Sequence, residues 1–178
     1  MKTAVVAWGR MNPPTIGHQK LVDRLRNLAR MHKAAPLLFL SQTHKRGKDP
    51  LTYNDKIKFA QRAFGRIVQR ANNVKTIIQL MQHLEKKYDH VILVCGDDRY
   101  DQFHTLLNKY NGKDFKFSSI RVISAGVRDP DADGAEGMSA SKLRALAAEE
   151  NFDEFKTGLP PMLQSQAKQV YDKVRSGL

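Results

Sequence analysis

Residues 9–22 read GRMNPPTIGHQKLV, and the fold of the chain turns on how that stretch is parsed. The apolar run Ala4-Val5-Val6-Ala7-Trp8 precedes it and reads as a buried strand. Apolar residues at Leu21, Val22, Leu25, Leu28 and Ala29 follow at helical spacing. Between the two lie the turn formers Gly9, Asn12, Pro13, Pro14, Thr15 and Gly17. The segment is therefore strand, tight polar loop, helix. In an open parallel sheet such a loop sits at the carboxyl end of its strand, where ligands bind. The helix start offers backbone N–H groups and the positive end of a dipole, both suited to phosphate. His18 stands at that helix start and Arg10 at the strand end.

The same alternation continues along the chain. Residues 35–41 (APLLFLS) read as a second buried strand. The polar loop QTHKRGKDPLTY at 42–53 follows, with Lys45, Arg46 and Lys48 beside His44. Thr52 is placed to cap a helix carrying Ile57, Phe59, Ala60, Ala63 and Phe64. A third, weaker strand is expected at 74–78, then a short helix over 79–87 with Leu80, Met81 and Leu84 inward. Residues 90–95 (HVILVC) have the composition of a central strand and end in the polar loop Gly96-Asp97-Asp98-Arg99. A helix with Phe103, Leu106 and Leu107 on one face leads to the last strand at 120–124. Alternation of this kind predicts an α/β fold, a doubly wound parallel sheet of about five strands with helices on both faces. Right-handed crossovers bring the strand-end loops to one rim.

The totals fit one domain with a real core. The chain has 178 residues, 41% hydrophobic and 27% charged. No apolar run approaches the roughly 18–20 residues of a membrane helix, and the N-terminus has too short an apolar run for a secretory signal. The single cysteine, Cys95, excludes an intramolecular disulfide and fits a reducing cytoplasm. The formal charge of +12 favours polyanionic partners: nucleotides, phosphorylated metabolites or nucleic acid. The basic residues are spread along the chain, so a solvated basic surface accounts for the excess equally well. The histidines show no metal-ligand spacing, and there is no P-loop pattern.

Residues 126–137, GVRDPDADGAEG, read as an acidic flexible lid. The run Asp129-x-Asp131-x-Asp133-Gly134 begins like a calcium loop, but its twelfth position is Ala140 where a bidentate carboxylate is required. Then Met138-Ser139-Ala140-Ser141-Lys142-Leu143-Arg144 opens a helix with Leu143, Leu146 and Ala147 inward. Two hydroxyls and two cations at a helix start make an anion site. Ordinary capping by Ser139 or Ser141, with Arg144 on the surface, explains the same residues. The tail holds Phe152, Phe155, a Gly158-Leu159-Pro160-Pro161 break and a helix over roughly 161–175, docked by Met162, Ala167, Val170 and Val174.

Two of these stretches resemble signatures of the nucleotidylyltransferase superfamily. Thr15-Ile16-Gly17-His18 resembles its (T/H)xGH motif, placed after an N-terminal strand and opening the first helix. Met138–Arg144 resembles its ISSTxxR-type motif, with Ala140 departing from the usual second Ser or Gly. The opening GRMNPPTIGH is similar to the GRFQPxHxGH opening of archaeal-type nicotinamide-mononucleotide adenylyltransferases. The size and layout also resemble phage-encoded cytidylyltransferase-like proteins. The resemblance implies a Rossmann-like nucleotidylyltransferase domain over 1–150, with 151–178 a C-terminal helical extension packed on the same domain.

The resemblance also implies a chemistry: transfer of a nucleoside monophosphate, AMP from ATP ahead of CMP from CTP, to a phosphorylated acceptor such as nicotinamide mononucleotide or phosphopantetheine, releasing pyrophosphate. It gives catalytic roles to His18, Thr15 and Arg144. It gives nucleotide-binding roles to Gly9, Arg10, Met11, Gly17, Gly96, Asp98, Ser139 and Ser141. Lys45 and Arg46, with Arg10, are candidates for the acceptor phosphate on charge and position. Mg²⁺ is the implied cofactor, with no dedicated protein ligands, and the implied location is the cytoplasm, a host's if the protein is phage-encoded. The competing readings are a CTP-dependent cytidylyltransferase and a basic nucleic-acid-binding or virion-associated protein on the same fold. Oligomeric state and base choice are left open.

Overall fold

The computed structural model describes residues 1–126 and 138–178; the expected lid and the calcium-like run lie almost wholly outside the described residues. The chain divides into two compact units interleaved in sequence. One comprises Met1–Gly9, Leu21–Ser41 and Gln69–Val127, and the other Arg10–Lys20, Gln42–Val68 and Arg128–Leu178.

The first unit is built on the sheet. Strands β1 (Thr3–Gly9), β2 (Pro36–Leu40), β3 (Val68–Gln69), β4 (His90–Cys95) and β5 (Ser119–Ser124) lie in the order β3-β2-β1-β4-β5. The pairings of β1 with β2, β1 with β4 and β4 with β5 are all parallel. This is the Rossmann-like α/β sheet that the alternation predicts. The order follows from composition. Ala4–Trp8 and Val91–Cys95 are continuous apolar runs, buried throughout, and they occupy the centre. The edge strand β5 instead exposes Ser119 and Arg121 and buries only Val122, so its outer rim is polar. Helices α1 (Ile16–Met31), α3 (Ile77–Glu85) and α4 (Tyr100–Tyr110) supply the crossovers, with Leu80, Met81, Leu84, Phe103 and Leu107 in one apolar cluster with Val6, Trp8 and Leu93.

Strand register sets which strand ends share one rim. Gly9 pairs with Leu40, Ala7 with Val94 and Cys95 with Ser124, so the carboxyl ends of β1, β2, β4 and β5 stand at one level. The strand order reverses between β1 and β4, and such a reversal opens a crevice outside the carboxyl ends. Gly9 and Gly96 follow from those two strands.

Two elements differ from the sequence expectation. Residues 74–78 are not a strand: Ile77 begins α3, and β3 is the two-residue Val68–Gln69. The β-branched run through Ile78 imitates a strand, but a local cap prevails. Thr76 accepts from the Gln79 amide at 3.1 Å while Gln79 accepts from the Lys75 amide at 2.8 Å. That pairing is close to a capping box, which halts extension and starts a helix. The second difference is the tail.

In the second unit, α2 (Tyr53–Phe64), α5 (Ala140–Ala148), α6 (Phe152–Thr157) and α7 (Ala167–Ser176) join a 3₁₀ segment at Pro161–Gln166. Helices α5, α6 and α7 pack on one another, and the 3₁₀ segment packs on α2. Thr52 caps α2 as expected, accepting from the Asp55 amide at 3.2 Å. Helix α6, capped by Asn151, is too short to show a period in the sequence. Because residues 161–166 wind as 3₁₀ rather than α, the inward position is Leu163, and Met162 is 62% exposed instead of docking. Phe155 is fully buried, with its ring edge-on to Tyr171 at 5.4 Å.

These contacts predict that Phe155→Ala destabilises the protein by about 3–5 kcal/mol in urea titration, whereas Met162→Ala changes stability by less than about 0.5 kcal/mol. Equal effects would contradict this account of the tail.

Candidate functional site

The loop from Arg10 to His18 is held by unusual local bonds, all within the second unit. Met11 has φ +46°, a left-handed conformation that disfavours a side chain with a Cβ. The residue is wholly buried, so it shapes the loop from within. Thr15 is also fully buried. Its backbone N–H donates to His18 Nδ1 at 2.9 Å, and its Oγ1 lies 3.2 Å from the same nitrogen. A backbone N–H only donates, so Nδ1 is the acceptor and the ring proton sits on Nε2. The Thr-x-x-His spacing thus delivers an imidazole with Nε2–H as its donor.

The start of α1 is less open than the sequence suggests. The Ile16 amide donates to the Gly158 carbonyl at 2.8 Å, and the His18 amide to the Thr15 carbonyl at 3.0 Å. Gly17 sits between them in the first turn, partly buried. Donors for an anion come here from side chains as much as from the helix end.

The second motif joins the first through one side chain. Ser139 caps α5, its Oγ accepting from the Lys142 amide at 3.2 Å, as ordinary capping requires. Arg144 is partly buried rather than free on the surface. Its guanidinium donates to the Asn12 carbonyl at 3.0 Å and to Ser141 Oγ at 3.2 Å. A contact spanning 132 positions of sequence therefore links Ser141 and Arg144 to the Thr15–His18 loop.

The same unit holds buried charge that the sequence reading did not single out. Lys56 of α2 is fully buried, as is Asp49 to within a few per cent. Burial pulls the Lys56 ammonium down to about 8; Asp49 opposes that shift and Arg10 adds to it. The Arg144 guanidinium is lowered by burial first, again with Asp49 opposing and Arg10 adding. Arg10 itself is exposed. Lys56 and Arg144 thus both feel the Asp49 carboxylate and the Arg10 charge, and the positive excess favours an anion with several charges. Asp49 closes a tight turn whose backbone pairs with Lys45 at 2.9 and 2.7 Å, and Gly47 donates to the Gly177 carbonyl at 2.8 Å. Lys45 and Arg46 stand exposed on that turn.

Gly96 and Asp98 belong to the sheet unit. Gly96 precedes a 3₁₀ turn at Asp97–Arg99, and a Cβ there would lie 2.6 Å from Asp98 Oδ1, so the residue's bareness makes room for that carboxylate. Asp98 is exposed, while Asp97 accepts from Ser124 Oγ at 3.1 Å. Gly9 ends β1 and its carbonyl accepts from the Ser41 amide at 2.9 Å. The Cys95 thiol is raised to about 11 by burial, partly offset by Arg99, which makes it a poor nucleophile. Among the described residues no three His, Cys, Asp or Glu groups converge as a metal-ligand set, and no helix is long and apolar enough to cross a membrane.

Asn12, Asp49 and Lys56 were each legible in part. Lys56 falls in the buried stripe of α2, four residues before Ala60 and seven before Ala63. A lysine in a core register is the signal, because an unpaired charge is almost never buried there. Asp49 and Asn12 carry no such periodicity and pass for turn residues.

Lys56 gives a signed pH prediction. Its folded pKa lies below the unfolded value, so between about pH 8 and 10.5 the unfolded chain holds the extra proton and stability rises with pH. In Lys56→Met that contribution is absent. The stability of wild type relative to Lys56→Met should therefore climb from pH 8 to 10 in urea titrations. A flat difference would show that the ammonium is not desolvated.

No curated protein matches the chain. The model of the family described as cytidylyltransferase-like matches residues 6–146. That family supports nucleotidyl transfer, using a nucleoside triphosphate and a second substrate. The matched span runs from inside β1 to inside α5 and takes in Asn12, Thr15, His18, Asp49, Lys56 and Arg144, and on it the chain belongs to the cytidylyltransferase-like family of nucleotidyltransferases.

Proposed function

We propose that the protein transfers AMP from ATP to the phosphate of a small-molecule acceptor, such as nicotinamide mononucleotide or phosphopantetheine, and releases pyrophosphate. The observation that carries the reading is the Arg144 bridge, which ties the hydroxyl-rich start of α5 to the loop that orients His18. An acceptor phosphate oxygen attacks the α-phosphorus in line. The new P–O bond forms as the bond from that phosphorus to the bridging oxygen of pyrophosphate breaks, and the electron pair leaves with pyrophosphate. The attacker is already anionic, so the protein supplies position and positive potential rather than a strong base.

His18 Nε2–H donates to an α-phosphate oxygen as negative charge builds there, with Thr15 holding the ring. Arg144, Ser141 and Ser139 hold the β- and γ-phosphates. Lys56 contributes field. Gly17 leaves room at the helix start, Met11 shapes the loop from within, and Arg10 with Lys45 and Arg46 receives the acceptor phosphate; the family resemblance is what assigns Gly9, Gly96 and Asp98 of the sheet unit to the nucleotide. Mg²⁺ would enter with the nucleoside triphosphate and would neutralise phosphate charge there, without a dedicated set of protein ligands.

CTP is the competing donor, and the charge of +12 favours a second reading as a nucleic-acid binder. Pyrophosphate release with Mg²⁺, four NTPs and a panel of phosphorylated acceptors separates these. We expect release with one NTP and one acceptor, and a fall of about 10²–10³ in His18→Ala, the worth of one preorganised donor. Release from wild type that is unchanged in His18→Ala would overturn the site. Silence across the panel, with steeply salt-dependent nucleic-acid binding, would favour the second reading.

A further inference from the structure

We infer that Asn12 is a positioning residue for the triphosphate, holding Arg144 and the Asp49–Lys56 segment in one frame. The inference deepens the proposed function and rests on it. Asn12 is 0% exposed. Its Oδ1 accepts from the Leu51 amide at 2.8 Å and its Nδ2 donates to the Leu51 carbonyl at 3.2 Å. A side-chain amide is the group that satisfies both faces of one peptide residue at once, because it carries an acceptor and a donor side by side. Leu51 lies 39 positions away, two residues after Asp49 and five before Lys56. Its own side chain is buried, so the clamp seizes a fixed point of that segment. The backbone carbonyl of the same asparagine accepts from Arg144.

One residue therefore grips two segments by different atoms. The side chain anchors the stretch that carries the carboxylate and the buried ammonium. The main chain anchors the guanidinium that answers to that carboxylate. Left unpaired, the Leu51 amide and carbonyl would carry the penalty of buried unsatisfied groups, so the segment would shift to find other partners. Such a shift moves Asp49 relative to Arg144 and misdirects the guanidinium. Asn12 need not touch the nucleotide to do this.

A double-mutant cycle on the whole chain tests the inference, with inorganic tripolyphosphate as the probe and dissociation constants from calorimetry. Wild type, Asn12→Ala, Arg144→Ala and the double variant are compared at one salt concentration. We expect Asn12→Ala and Arg144→Ala each to weaken tripolyphosphate binding about tenfold, and Asn12→Ala to add little once Arg144 is gone, because residues in one network are non-additive. Asn12→Gln keeps both the acceptor and the donor but displaces them by one methylene, so it should bind between wild type and Asn12→Ala, and it carries the cycle if the alanine variant does not fold. Asn12 variants that bind like wild type, or that weaken binding equally with and without Arg144, would overturn the positioning role while leaving the proposed function standing. No binding of tripolyphosphate by wild type would overturn both.

Discussion

A fully buried lysine and a partly buried arginine that feel the same carboxylate set the terms for this protein. Desolvating an ammonium is unfavourable, and Asp49 compensates only part of it, since both Lys56 and Arg144 remain depressed and Arg10 adds repulsion. For the proposed polyanionic substrate the arrangement would serve as a preorganised field. Cations already stripped of water act strongly on an arriving polyanion and need no reorganisation when charge develops on it.

Holding that field in place takes bonds between distant parts of the sequence. Asn12 reaches Leu51, Arg144 reaches Asn12, Ile16 donates to Gly158, and Gly47 donates to Gly177. The C-terminal residues are thus part of the frame around the Thr15–His18 loop. Gly158 and Gly177 show it sterically: a Cβ on the first would overlap the Leu143 side chain, and on the second the Pro50 carbonyl. The proposed transfer to an acceptor phosphate, in which the attacking group is already charged, suits a site built from position and potential.

Much of the fold could be read from the sequence because it is written in strong periodic signals. The central strands are continuous apolar runs, and α1 and α2 carry regular stripes. The misread at 74–78 arose where two signals conflicted, a β-branched run against the Thr76–Gln79 cap, and the local hydrogen bonds prevailed. The docking of the tail through Met162 failed for a different reason, since 3₁₀ and α winding place different residues inward and composition does not distinguish them. At the site, Thr15, His18, Ser139, Ser141 and Arg144 were visible as motifs. Their wiring was not. Asn12 and Asp49 gain meaning only through partners tens of residues away, and no local pattern announces such contacts.

The account stands most directly on the state of one imidazole. Long-range ¹H–¹⁵N correlation spectra, with the His18 signals assigned by their loss in His18→Gln, report which nitrogen of each of the six histidines carries the proton. The account predicts a neutral His18 ring protonated at Nε2, and predicts that adding a magnesium–nucleoside triphosphate moves the His18 Nε2 signal more than that of any other histidine. A proton on Nδ1, or a His18 signal indifferent to the nucleotide, would contradict it.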